Sequence, residues 1–151
     1  MKPLTSLSLP LLLMTLGACA AAPYGNPQQD AEAKRFDVPP SGGGALYIYR
    51  KGWFGFVRPV DVGIASGVRT QLPNDAYLKL DGPPGQIEVN CRVGDKSDQR
   101  QVEVVAGEAR YLEVSMTPGL LGPGCEIAEV ALDQGQAAVR ATKRVMAPGQ
   151  L

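Results

Sequence analysis

The 151-residue chain contains no histidine. That absence removes the commonest general base and metal ligand, and with it every Ser-His and Cys-His pairing of nucleophilic catalysis. No G-x-S-x-G, S-x-x-K or H-E-x-x-H pattern takes its place. Excess charge is missing as well: 15 basic residues face 15 acidic ones, so nothing in the overall balance points to nucleic acid or an acidic polymer as a partner. Aromatic residues make up only 6% of the chain. No apolar run reaches the ~20 residues that a membrane-spanning helix needs. Cysteine is scarce, with three residues, Cys19, Cys91 and Cys125, and their placement carries most of what the sequence says.

From Leu4 to Leu16 the chain is uncharged and rich in Leu behind Lys2, the layout of a secretory signal with basic, apolar and small-residue regions. Its ending, Leu16-Gly17-Ala18-Cys19, resembles the lipobox of bacterial lipoproteins. The resemblance implies a diacylglyceryl group on the Cys19 sulfur, cleavage before Cys19 and acylation of the new amine. Residues 1–18 would then be a signal peptide and Cys19 the lipid attachment site. Each buried methylene contributes about 0.8 kcal/mol, so several chains on one cysteine make an essentially permanent anchor. Ordinary secretion with cleavage near Ala20 to Ala22 is the alternative reading. Ala20 stands where an aspartate would retain such proteins in the inner membrane, which implies the outer membrane, with the domain in the periplasm.

Taking residues 1–18 from 151 leaves 133 residues, enough for one domain after a linker. With Cys19 lipidated, Cys91 and Cys125 remain as a pair in a compartment where disulfides persist. A bridge between them would stabilise the fold by about 4 kcal/mol on the chain-entropy model; two separate buried thiols are the alternative. Two thiols without histidine do not make a usual metal site, and no cofactor is expected.

Residues 19–43 have few aliphatics and much Ala, Pro, Gln and Gly, too little to bury for independent order. They read as a flexible tether reaching over tens of ångströms, with one helical turn allowed around Asp30 to Arg35. From Ala45 the texture changes to short β-branched and aromatic runs punctuated by Gly and Pro. ALYIYR, 45–50, is apolar on both faces and suits a central strand. RPVDVGI, 58–64, puts Val60, Val62 and Ile64 on one face. AYLKLDG, 76–82, sends Ala76, Leu78 and Leu80 inward and Tyr77, Lys79 and Asp81 outward. GQIEVNCRV, 85–93, points Cys91 inward with Ile87, Val89 and Val93. RQVEVVAG and ARYLEVSM flank an Ala-Gly-Glu turn and read as a hairpin; CEIAEVAL, 125–132, is the last expected strand. Asp133 and Gln136 suggest a capping box for a closing helix with an apolar stripe of Ala138, Ala141, Thr142 and Val145, ended by Pro148 and Gly149. The expected fold is mainly β, an antiparallel β-sandwich of seven or so strands with one C-terminal helix, over residues 44–147.

ALYIYRKGWFGF, GPPGQIEV, VVAGEARYLEVSM and EIAEVALDQGQAAV together resemble a domain-of-unknown-function family of small Gram-negative envelope lipoproteins. The resemblance spans about residues 44–145. It implies a compact PEGA- or transthyretin-like sandwich and a place in the envelope, and no chemistry. RPVDVGIASGVRTQL departs from the family pattern, which has a hairpin ending in an aromatic-rich strand there.

Asp81, Glu88, Asp95, Asp98 and Glu103 are the carboxylates that could converge for catalysis, but acids alternating outward on strands are usually a solvated face. Trp53, Phe54 and Phe56 of GWFGF could bind a partner or touch the membrane interface; the favoured reading folds them over one end of the sandwich as a plug. The leucines of TPGLLGPG, 117–124, are likewise expected to cap the core. Arg140, Lys143 and Arg144 form a basic stripe that the helix dipole explains. The function expected is that of a non-enzymatic binding or structural module, joined to the membrane through lipidated Cys19 and available to an envelope protein partner. The rival readings are an inhibitor of lysozyme-type glycan hydrolases and a carboxylate-based envelope hydrolase.

Overall fold

The computed structural model of the protein describes residues 23–148, apart from 38, 40, 41, 56 and 66. The signal segment 1–18, Cys19 and Phe56 lie outside the described residues. Nine strands, β1 (Gly44–Arg50), β2 (Val60–Ile64), β3 (Arg69–Leu72), β4 (Ala76–Gly82), β5 (Gly85–Val93), β6 (Lys96–Val104), β7 (Ala109–Thr117), β8 (Gly124–Val130) and β9 (Lys143–Val145), accompany helices α1 (Pro27–Ala33) and α2 (Leu132–Arg140). The strands form a β-sandwich: a five-stranded sheet in the order β8-β7-β1-β4-β9 faces a four-stranded sheet in the order β3-β2-β5-β6.

Strand β1 is central, as its two apolar faces require, and all seven of its residues are buried. Leu46 and Ile48 point between the sheets with Leu78, Leu112 and Val114, meeting Val60, Val62, Val89, Val93, Val102 and Val104 of the second sheet. Tyr47 and Tyr49 point the other way, into a second cluster with Tyr77, Tyr111, Ala33 and Val139. The two helices cover the middle of that face, so the first sheet lies between two layers and its central strand β1 is dry on both sides. This corrects the expected orientation of Tyr77, which is buried rather than solvent-facing.

Four further expectations are revised. The first sheet is mixed, because β1 pairs parallel with β7 and β4 with β9. The Ala-Gly-Glu turn does not close a hairpin: β6 pairs with β5, whereas β7 crosses to the other sheet beside β1 and β8. Gly107 N–H donates to Gly43 O, and Ala45 N–H to Glu108 O, so the turn's backbone bonds go to the start of β1. Helix α2 begins from Ala131 with no side-chain cap and stops at Arg140. Thr142 Oγ1 then turns back to the carbonyls of Ala138 and Val139, and Lys143–Val145 pairs with the open side of β4, which carries Val145 into the core.

The fourth revision concerns the tether. Residues 23–37 are folded onto the domain. Tyr24 bridges Val145, Gly25 N–H donates to Arg144 O, and Met146 N–H donates to Pro23 O. Asn26 and Gln29 form a reciprocal capping box that starts α1. Ala33 is buried, and the Phe36 ring lies 5.6 Å from that of Tyr47. The segment is poor in aliphatics, but a tyrosine-lined sheet face gives its few apolar groups something to cover.

Candidate functional site

The topology gathers the β1–β2, β3–β4, β5–β6 and β7–β8 connections at one end of the sandwich. Two of these loops carry exposed apolar side chains. Trp53 is 85% exposed and Val57 82%, with Phe54 partly covered by the Trp53 ring at 6.1 Å in an edge-on pair. On the neighbouring loop Leu120 and Leu121 are 101% and 89% exposed. The expected plug therefore does not form from Trp53 and Phe54, nor the expected cap from the two leucines. Phe56, the third aromatic of that segment, lies outside the described residues.

The core at this end is closed instead by Arg50 and Met116. Arg50, the last residue of β1, is 1% exposed. Its Nη1 donates to Arg58 O at 2.7 Å and to Leu72 O at 3.3 Å; its Nη2 donates to Gly55 O at 2.7 Å and meets Met116 Sδ at 3.1 Å. None of these partners is a carboxylate. Burial pulls the guanidinium pKa below its ordinary value, and the charge of Asp75 partly offsets that pull. A fork of N–H groups thus collects the carbonyls of the β1–β2 loop from below, leaving its side chains outward. Gly55 has φ +68° and sits so close over Met116 that a Cβ there would meet the thioether sulfur at 2.2 Å. The signal for this arrangement was an arginine closing an otherwise apolar strand ahead of a glycine-punctuated loop, and sequence reasoning passed over it.

The second loop is held from the other sheet. Lys96 Nζ donates to Gly122 O at 2.7 Å. Cys91 on β5 and Cys125 on β8 are joined by a disulfide with Cα atoms 6.2 Å apart. Close by, Asp98 Oδ2 accepts from Ile127 N–H at 2.9 Å, so β6 is tied to the outer strand β8. The bridge and these two bonds fasten the sheets together beneath Leu120 and Leu121.

The five candidate carboxylates are spread over both sheets. Asp81 pairs with Lys79 on the first. Glu88 accepts from Gln101 on the solvent face of the second, Asp98 is bonded to β8, and Asp95 lies in the β5–β6 turn. Glu103 faces Gln86 across the strand pair. Among the described residues no group of three or more His, Cys, Asp or Glu side chains is placed to hold a metal ion. Of the basic stripe, Arg140 stacks on the Phe36 ring at 4.8 Å and Arg144 Nη1 donates to Gln29 O at 3.0 Å, so both arginines hold the N-terminal segment. Lys143 is exposed at the loop end. A hollow of about 770 Å³ crosses the polar face of the second sheet beside Asp61, Gly63, Asn90 and Arg92. A smaller one of about 440 Å³ lies beside Phe36, Arg110 and Glu129. No helix among the described residues is long and apolar enough to cross a membrane. Comparison of the chain with models of known protein families, with curated proteins and with solved structures finds no match in any of the three.

Proposed function

We propose that this chain is a lipid-anchored envelope lipoprotein, fixed through Cys19 to the periplasmic leaflet of the outer membrane, whose sandwich acts as a non-enzymatic binding or structural module. The observation that carries the reading is the Cys91–Cys125 bridge. It suits an oxidising compartment outside the cytoplasm, and it occupies two of the chain's three cysteines, so Cys19 is the sulfur left for a lipid. The lipobox-like Leu16 to Cys19 supplies the processing site. Support for a binding rather than a catalytic role comes from a chain without histidine and from carboxylates dispersed over the sandwich. The resemblance to small Gram-negative envelope lipoproteins read from segments such as ALYIYRKGWFGF and VVAGEARYLEVSM would fit the same assignment.

Intact-mass analysis of the mature protein and fractionation of a Cys19→Ser variant test this reading. The parent chain should begin at residue 19 with acyl mass and sediment with outer membranes; the variant should accumulate as an uncleaved precursor. A processed serine variant that still fractionates with the outer membrane would overturn the anchor.

A further inference from the structure

We infer that the loop end carrying Trp53, Phe54, Val57, Leu120 and Leu121 is an interface between two copies of this chain, in which the aromatic loop of each copy packs on the leucine loop of the other. The inference goes beyond the proposed function and holds whether or not Cys19 carries a lipid. Among the described residues seven large apolar side chains are exposed, and five of them lie on these two loops. The loops adjoin, because Gly55 of the first lies over Met116, near the end of the strand that leads into the second. At about 200 Å² for a fully exposed large side chain, the five together expose on the order of 800 Å². The largest apolar patch on an ordinary monomer is about 300 to 600 Å², whereas about 800 Å² per partner is what a standard protein–protein interface buries.

The N-terminal attachment gives this patch no occupant. β4 starts level with Arg50 and runs away from the loop end, β9 runs parallel to it, and Tyr24 pairs antiparallel with Val145. At Pro23 the chain therefore points back toward the opposite end of the sandwich.

The charge around the patch is divided so that a second copy complements it. The aromatic loop carries exposed Lys51 and Arg58 and contains no acid. Beside the leucine loop the exposed charge is an acid, Asp95, since the ammonium of neighbouring Lys96 already donates to Gly122 O. None of Lys51, Arg58 and Asp95 takes an ion pair among the described residues. Farther off, Asp75 and Lys143 are joined by a backbone bond and balance one another. A two-fold axis through the patch sets Leu120, Leu121 and Asp95 of each copy against Trp53, Lys51 and Arg58 of the other, the reciprocal contact of an isologous dimer. The edge-on pair of Trp53 and Phe54 offers large rigid faces. Arg50 fixes the loop backbone while its side chains stay outward, so association needs little ordering. With two loops per copy, the affinity belongs at the micromolar end of the range for such areas.

The whole mature chain, residues 19–151 with Cys19→Ser, is exported behind a cleavable signal that lacks a lipobox, so that neither acyl chains nor detergent compete for the patch. Sedimentation between about 1 and 300 µM, a range that brackets micromolar association, should show the mass doubling. Trp53 is the chain's only tryptophan, so its fluorescence reports this loop alone. As the mass doubles, its emission should shift to the blue and its quenching by acrylamide should weaken several-fold. Leu120→Asp/Leu121→Asp should stay monomeric throughout. Lys51→Glu/Arg58→Glu should weaken association at least tenfold, and adding Asp95→Lys to that variant should restore it, because each copy then again offers opposite charges to the other. All of these side chains are exposed, so the variants should fold. A chain that is monomeric across the range would overturn the inference, and if Trp53 of that monomer turned blue on phosphatidylethanolamine–phosphatidylglycerol vesicles the patch would be assigned to lipid instead. A dimer indifferent to Leu120→Asp/Leu121→Asp would be built on another face and would overturn it too. Failure of Asp95→Lys to rescue the charge variant would overturn the pairing of the two loops. Acyl mass on the native protein is a separate measurement, so none of these results touches the anchor.

Discussion

The phenol of Tyr77 donates to Asp30 Oδ1 at 2.9 Å, joining residues 47 apart in sequence. The same carboxylate accepts from Lys34 Nζ at 2.7 Å and from Arg144 N–H at 3.0 Å. Helix α1 is thereby clamped to the edge of the first sheet. Burial alone would raise the Asp30 pKa, but the bonds from Lys34, Tyr77 and Arg144 more than offset it and hold it below 3.8.

A depressed carboxyl stabilises the fold fully above its unfolded pKa and progressively less as pH falls through the folded value. Asp30 should therefore contribute its full effect at pH 6 and lose it below about pH 4, the ordinary aspartate range. Replacing Asp30 by Asn should cost about 2 kcal/mol near neutrality, as expected for bonds to a charged acceptor. Thermal unfolding of parent and variant between pH 6 and pH 2.5 checks the sign: their difference should narrow as acid is added. A constant gap would mean that the carboxylate charge is not what clamps α1.

The bridge makes a second prediction. Closing a loop between residues 34 apart in sequence should stabilise the folded state by about 4 kcal/mol on the chain-entropy model. A Cys91→Ala/Cys125→Ala variant should lose that amount in denaturant unfolding, and reduction of the parent should reproduce the loss. A reductant-insensitive midpoint would show that the bond does not contribute.

The inter-sheet core was legible because alternation encodes it: Val89, Cys91 and Val93 fall on one face of β5 in sequence and in the fold. Tyr77 was not, since a strand covered on both sides by other layers loses the polar alternation that marks an outside. The crossing of β7 to the first sheet was hidden for another reason. A tight turn announces a change of direction, whereas the identity of the next strand's neighbours depends on long-range pairing. The candidate site suffered most. Apolar loop residues are usually packed, so composition favoured a plug, and only the buried fork of Arg50 beneath the loop explains why Trp53 stays outside.

Helix α2 passes over Tyr111 at Gly135, where an added Cβ would come within 2.3 Å of the ring. The intrinsic helix preference of Ala over Gly is worth about 1 kcal/mol. Forcing a methyl into a packed contact costs about 1 to 3 kcal/mol, and here the obstacle is a buried ring stacked on Tyr47 at 5.1 Å, with little room to yield. The steric effect should win. Gly135→Ala is expected to destabilise by about 1 kcal/mol net; a stabilised variant in urea unfolding would show that α2 is free to lift.

Arg50 makes the sharpest prediction about the loop end. Replacing it with Met keeps much of the apolar stem but removes the donors to Gly55, Arg58 and Leu72. Buried carbonyls left without partners cost about 1 to 3 kcal/mol each, moderated where the loop can open to water. The loss from Arg50→Met should be about 3 kcal/mol in denaturant unfolding, well beyond that of an ordinary surface change. Arg50→Lys retains a charge yet offers a point rather than a fork, so it should recover only part of the stability. A loop released from its carbonyl ties should also move faster, and Trp53 anisotropy should fall in Arg50→Met below the unfolding range. By contrast, Leu120→Ser/Leu121→Ser on the neighbouring loop should change stability by no more than about 0.5 kcal/mol per site, because neither side chain is buried. If Arg50→Met matched that small effect and left the anisotropy unchanged, the buried guanidinium would not be what holds the aromatic loop in place.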